Sequence, residues 1–254
     1  MNPRTADDEP SARRTVAGGA VVGSLSPERQ PGLRLHRPEG DVRALALVLP
    51  GGAENSLLTA RPWSPAAVRM RPFVDRLRRE GAAGGLAVGL VGYRYVGWNA
   101  PHEHPVADAR WALDEARRLV GRAMPTVLVG HSMGGRTVMR VADDPDVRGV
   151  VALAPWLPRD EPVGALAGRD VLILHGDRDR TTSPRLSYRF AVQAQQVAAR
   201  VCCIELHGTG HAMLRRARDW HRLAAGFALA TVGAAPLPAG LAEACAAGTV
   251  PVSR

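Results

Sequence analysis

From residue 44 onward, short uninterrupted apolar runs alternate with longer amphipathic segments, and this rhythm narrows the possible folds more than any other feature. The runs are Ala44–Leu49, Leu86–Tyr93, Thr126–Val129, Gly149–Leu153, Val171–Leu174 and Val201–Leu206. They are continuous instead of alternating apolar with polar, so as strands they need cover on both faces. The segments between them read as helices over Pro65–Glu80, Pro105–Val120, Met133–Ala142, Pro184–Arg200 and Ala212–Ala230. In the second of these, Val106, Ala109, Leu113, Ala116 and Val120 recur at helical spacing with charges between them. Strand and helix repeated in this way predict the α/β class: a mostly parallel central sheet flanked by helices on both faces.

A chain of 254 residues, 46% of them hydrophobic, can build such a core as one large domain. Residues 1–14 are charged and Pro-bearing, which predicts disorder. The folded domain is expected over 15–232, and two short strands between 15 and 40 are broken by Ser26-Pro27 and Gln30-Pro31-Gly32. Residues 233–254 are mainly Ala, Gly and Pro, and are expected as a loosely packed tail. No apolar run approaches the roughly 18 residues that span a bilayer, so no membrane partner is expected.

The net charge of +9 first suggests nucleic acid. Yet all 33 basic residues are Arg, scattered through the chain (Arg13, Arg78, Arg117, Arg148, Arg200, Arg216) without a localised stripe or recognition motif. A nucleic-acid partner is therefore not expected, although the charge still favours acidic surfaces or substrates. The three cysteines are Cys202, Cys203 and Cys245. Adjacent cysteines rarely bridge each other, and no Cys/His spacing suggests zinc, so a reducing, cytoplasmic setting is the simplest expectation. Ala12-Arg13-Arg14-Thr15-Val16 faintly resembles a twin-Arg export signal, but the Gly-rich run after it reads better as a strand.

The strongest chemical signal is Gly130-His131-Ser132-Met133-Gly134-Gly135, directly after the strand Thr126–Val129. G-x-S-x-G at a strand-to-helix junction is a nucleophile elbow, in which a tight turn holds the serine hydroxyl exposed. Glycine is required at 130 and 134 because a Cβ would clash where strand and helix approach so closely. The following helix points its N-terminal dipole and free N–H groups at any developing oxyanion. A serine hydroxyl is too weak an acid to attack a carbonyl unaided, so a base is required. Two downstream strand ends supply candidates: His175-Gly176-Asp177-Arg178-Asp179-Arg180 and His207-Gly208-Thr209-Gly210-His211.

Over residues 44–230 these motifs together resemble the α/β-hydrolase superfamily. The resemblance implies the α/β-hydrolase fold and a triad in the chain order Ser, acid, His. Its H-G-x-x-D segment falls on Asp179, preferred by spacing to Asp177, and its G-x-G-H segment falls on His211. His175 and His207 are left as structural histidines at strand ends. Of the two oxyanion donors, one is the N–H of Met133, after the nucleophile. The other is expected from Leu49-Pro50-Gly51-Gly52-Ala53, where the family usually reads H-G-x. Pro50 stands where His is common; that alignment makes Gly52 the donor, and a shift of one residue would make it Ala53.

Trp156, in Ala154-Pro155-Trp156-Leu157, follows a strand on the same face and reads equally as a wall of the acyl pocket or as a packing aromatic. Arg94, Trp98, Asn99 and Asp108 are expected to brace a loop. Only 17 residues separate Leu153 from Val171, too few for the helical cap of many relatives, so an open site is expected, as in small carboxylesterases and proteins similar to dienelactone hydrolase. The expected function is hydrolysis of a small-molecule acyl ester or thioester through an acyl-enzyme on Ser132, without a metal or organic cofactor. Alternatives are a non-catalytic binding module on the same fold, or a transacylase or peptidase using the same triad. Nothing in the sequence assigns an oligomeric state.

Overall fold

A computed structural model of the chain describes residues 29–246 and 249–252, the last four as backbone only. The expected disordered stretch 1–14, the twin-Arg-like segment and the first of the two strands expected between 15 and 40 lie outside the described residues. Eight strands form one sheet: β1 (Gly32–His36), β2 (Ala44–Leu49), β3 (Leu86–Gly92), β4 (Thr126–His131), β5 (Val147–Leu153), β6 (Asp170–Gly176), β7 (Arg200–Leu206) and β8 (Thr249–Val252). They run in the order β1-β3-β2-β4-β5-β6-β7-β8. Only β1 is antiparallel to its neighbour; every other pairing is parallel. The expected α/β-hydrolase architecture is present.

The continuous apolar runs bury both faces, as their composition requires. On β2, Leu45, Leu47 and Leu49 enter one core cluster and Ala44, Ala46 and Val48 the other. Into the first cluster pack α2 (His104–Val120), through Ala109, Ala112 and Leu113, α3 (Met133–Arg140), through Val138 and Met139, and α4 (Pro184–Ala194), through Phe190. Into the second pack α1 (Pro65–Gly81), through Met70, Phe73 and Leu77, and α5 (Ala217–Thr231), through Trp220, Leu223 and Phe227. Each large side chain fully buried this way contributes about 1.5–3 kcal/mol. Ser64 and Ser183 cap α1 and α4, each followed by Pro at the first helical position, where its missing N–H costs nothing.

Two helix ends depart from the sequence expectation. The last amphipathic helix begins at Ala217 instead of Ala212, because Met213 and Arg216 have φ of 57° and 53°. That leaves 212–216 as a loop beside His211. The fourth ends at Ala194, not Arg200, because the following turn bonds the chain before β6 (Gly168 N–H to Val197 O, 2.9 Å). Between β5 and β6 there is a single 3₁₀ turn, Gly164–Leu166, and no cap domain among the described residues.

Residues 233–246 and 249–252 differ from the loosely packed tail expected for them. They carry α6 (Ala239–Ala246), whose Leu241 is buried, and β8, which pairs in parallel with β7. Cys245 of α6 bridges Cys202 of β7. Successive strand residues point to opposite faces, so Cys202 meets α6 while Cys203 stays free and buried on the other side. The expectation of a reducing compartment rested on unpaired cysteines, and this bridge removes that premise.

Candidate active site

Strand β4 ends in His131 and hands the chain to α3 at Ser132, which has φ 55° and ψ −114°. For a residue with a Cβ this conformation costs about 1–3 kcal/mol and persists only when its surroundings enforce it. Here they do. The Ser132 N–H donates to Leu153 O (2.9 Å), and Ser132 O accepts from Arg136 N–H (3.1 Å) and Trp156 N–H (3.0 Å). A Cβ on Gly130 would collide with the Gly134 carbonyl, and one on Gly134 with the Pro50 and Leu49 carbonyls. Both glycines are needed for this reason.

The loops after β6 and β7 bring the two other predicted residues to this turn. His211 Nε2 lies 3.0 Å from Ser132 Oγ, and its Nδ1 lies 2.8 Å from Asp179 Oδ2. An ionised carboxylate only accepts, so Nδ1 carries the proton and Nε2 is left to accept from the serine hydroxyl. Asp179 has no exposed side chain. Burial opposes its charge, but hydrogen bonds from His175, His211 and the backbone N–H groups of Thr182 and Thr181 outweigh it and hold the carboxyl well below the usual carboxylate range.

Asp177, the alternative acid, points elsewhere. Its Oδ1 accepts the Gly208 N–H (2.7 Å) and its Oδ2 pairs with the exposed His207 (2.7 Å). It therefore ties the β6 loop to the β7 loop.

Three further residues brace this constellation, none of them expected from sequence to touch it. Thr182 donates its hydroxyl to Asp179 Oδ2 (2.9 Å). His175, expected only as a structural histidine, places Nε2 3.2 Å from the same oxygen and is itself held at Nδ1 by the Ser187 hydroxyl (2.8 Å). His131 donates from Nε2 to the backbone carbonyl of His211 (3.0 Å). Burial first, and then the nearby His211, push His131 down to about 3, so it is a neutral strut under the histidine loop. His175 and His131 lie inside the two motifs and Thr182 lies three residues after Asp179, but nothing in the sequence marked these contacts.

The loop after β2 runs beside the elbow. A Cβ on Gly52 would strike the Val96 carbonyl and the Met133 thioether, so this backbone lies directly against the residue after the nucleophile. The Ala53 N–H donates to Val96 O (2.9 Å) and is thereby occupied. As the first residue of α3, Met133 has no intrahelical acceptor for its own N–H.

A cavity of about 790 Å³ opens from Ser132 and His211 toward β1, β3 and the start of α1. Trp156, expected either as a pocket wall or as a packing aromatic, is not among its lining residues. Its ring meets Trp98 edge-on (6.0 Å, 90°), and the Arg136 guanidinium covers both rings at 4.7 Å and 4.1 Å. Arg136 is in turn held by the buried Glu161 (2.6 Å), so Trp156 packs beneath the elbow. Arg94, Trp98, Asn99 and Asp108 brace the preceding loop, as expected. Asp108 accepts the Arg94 N–H (2.8 Å), and Asn99 accepts the Ser56 N–H (2.7 Å) and donates to Ser56 O (3.0 Å).

Comparison with known proteins agrees with this fold. A family described as alpha/beta hydrolase fold matches residues 47–202, more than half of the chain. Among solved structures, a propionate-bound thermophilic esterase from Thermogutta terrifontis superposes with a TM-score of 0.60 at 20% identity, covering 80% of this chain and 90% of its own. An alpha-beta serine hydrolase homologue from Coxiella burnetii gives 0.57 at 19% identity, over 80% and 93%. The monoacylglycerol lipase of Paleococcus ferrophilus gives 0.56 at 16%, over 80% and 100%. At these identities the likeness is one of fold. No curated protein matches the chain by sequence.

Proposed function

The chain belongs to the α/β-hydrolase family, and on that premise we propose that it hydrolyses a small-molecule carboxylic ester or thioester through an acyl-enzyme on Ser132. The observation that carries this proposal is the continuous relay from Ser132 Oγ through His211 to Asp179, at 3.0 and 2.8 Å. Two of its fold relatives are named an esterase and a lipase, which supports the same substrate class.

In the proposed reaction, Ser132 Oγ bonds to the acyl carbon as its proton passes to His211 Nε2. The carbonyl oxygen takes up the electron pair and is stabilised by the N–H groups of Met133 and Gly52. Collapse breaks the bond to the leaving group, which departs with the proton from His211. A water then repeats the sequence on the acyl-serine, delivering the acid and restoring the hydroxyl. Asp179 stays ionised throughout, fixing the imidazole tautomer and stabilising the imidazolium that forms twice per turnover.

The test is a panel of p-nitrophenyl acyl esters and acyl thioesters, run on wild type and Ser132→Ala beside fluorophosphonate labelling. Turnover and a single label that both vanish in Ser132→Ala are the expected result. Labelling that persists in the variant, or a folded wild type inert to the whole panel, would overturn the proposal and favour a binding module instead.

A further inference from the structure

The cavity beside Ser132 has an unusual electrostatic makeup. Arg34, Arg61, Arg69 and Arg71 all contribute to its lining, and among the described residues no Asp or Glu does. Elsewhere the chain pairs many of its arginines closely with carboxylates: Arg94 with Asp108, Arg117 with Asp114, Asp144 and Asp146, and Arg136 and Arg140 with Glu161. None of the four cavity arginines has an ion-pair partner among the described residues. The Arg71 guanidinium reaches only the Pro62 carbonyl, at 3.4 Å.

The four come from three separate elements. Arg34 lies on β1 opposite Leu90 of β3, between Leu33 and Leu35, which pack toward the first core cluster. By strand alternation its side chain leaves on the other face, where α1 lies. Arg61 lies in the loop between β2 and α1, and Arg69 and Arg71 lie on α1. Arg69 is half-buried, and its charge reaches His131, the residue before Ser132, where it helps to keep that imidazole neutral. The N-terminus of α1 also opens into the cavity through Ser64, Pro65, Ala66 and Ala67, adding the positive end of a 17-residue helix dipole. Leu90, Val91 and Val96 supply apolar wall between these charges and the elbow.

We infer that the cavity recognises an anionic group, a carboxylate or a phosphate, carried by the substrate at a distance from the bond that is cleaved. This rests on the assignment of Ser132 as nucleophile and adds the substrate class. Four like charges focused in one concavity repel each other, and an entering anion relieves that repulsion; guanidinium groups bind carboxylate and phosphate oxygens through charge-assisted, commonly bidentate hydrogen bonds. The apolar wall would hold the chain between the anion and the acyl carbon. A neutral ester of the same length fills the wall but leaves the arginines in water.

Two matched pairs of substrates test this and separate the two sources of charge. On the acyl side, p-nitrophenyl hexanoate is compared with the p-nitrophenyl monoester of adipic acid. On the leaving side, hexanoyl pantetheine is compared with hexanoyl phosphopantetheine. In at least one pair the anionic member should show kcat/KM about tenfold or more above its neutral partner, with the ratio falling as salt rises. Arg69→Gln and Arg61→Gln should each collapse that ratio, whereas Arg148→Gln, at the far end of β5, should preserve it. Ratios near one in both pairs, alongside Ser132-dependent turnover of the neutral esters, overturn the inference and leave the hydrolase assignment standing. If instead no ester is cleaved, the hydrolase assignment fails. The anion site is then judged by calorimetry of adipate against adipamide on Ser132→Ala: tighter binding of adipate, lost in Arg69→Gln, supports it, and equal binding overturns it.

Discussion

Acid should unfold this protein through His131 before it titrates the carboxylates. The imidazole is buried at the end of β4 and held at about 3, against 6.5 when unperturbed. Between those two values the unfolded chain binds a proton that the folded chain refuses, so stability falls as pH falls. Going from about pH 7.5 to about pH 4.5, this single group should remove on the order of 2–3 kcal/mol, close to the full linkage slope over the two units below 6.5. Asp179, whose carboxyl is held low, keeps its contribution constant across this range and loses it only in stronger acid. His36, His104 and His221 are also lowered by burial and form a common background. The perturbation that isolates His131 is His131→Gln, which does not titrate and can still donate to the His211 carbonyl. Urea unfolding of wild type and variant at several pH values, without reductant, gives the two slopes. Wild type should lose on the order of 2–3 kcal/mol more than the variant over that interval. Parallel slopes would show that His131 accepts its proton in the folded state, and the neutral strut beneath the His211 loop would have to be abandoned.

Other outcomes follow from the same geometry. Asp179→Asn should lower kcat on the order of 10⁴-fold by favouring the wrong imidazole tautomer, while Asp177→Asn should leave kcat within about tenfold; kinetics on a soluble p-nitrophenyl ester decides between them, and the reverse order would move the acid to Asp177. Opening the Cys202–Cys245 bridge, which spans 43 residues, should cost up to about 4 kcal/mol of loop-closure entropy, read as a lowered melting temperature in Cys245→Ala or in reductant. With no cap between β5 and β6, ester turnover should saturate normally, without a rate jump as substrate passes its micellar limit; such a jump would require a mobile cover elsewhere, most plausibly in the segment Tyr93–His104.

The sequence by itself determined the class of fold and pointed to the residues of the candidate site, because both are written within a few residues. A continuous apolar strand needs two covered faces wherever it lies, and a serine between Gly130 and Gly134 must turn tightly whatever surrounds it. Asp179 and His211 were legible for the same reason, each closing a short motif at a strand end. The tertiary structure decided what those positions meet. His131 supports a carbonyl 80 residues away, and Thr182 and His175 share one oxygen of Asp179, contacts that exist only because β4, β6 and β7 end at the same edge of the sheet. Trp156 carried no local mark to separate a pocket wall from a packing ring; Arg136 and Trp98 claimed it. Ala- and Gly-rich residues 239–246 have too little amphipathic contrast to announce a helix, yet α5 and Cys202 give them something to pack and bond against. Four arginines scattered along the chain look like composition alone until β1 and α1 bring them to one cavity, since charge adds up in space and not along the sequence.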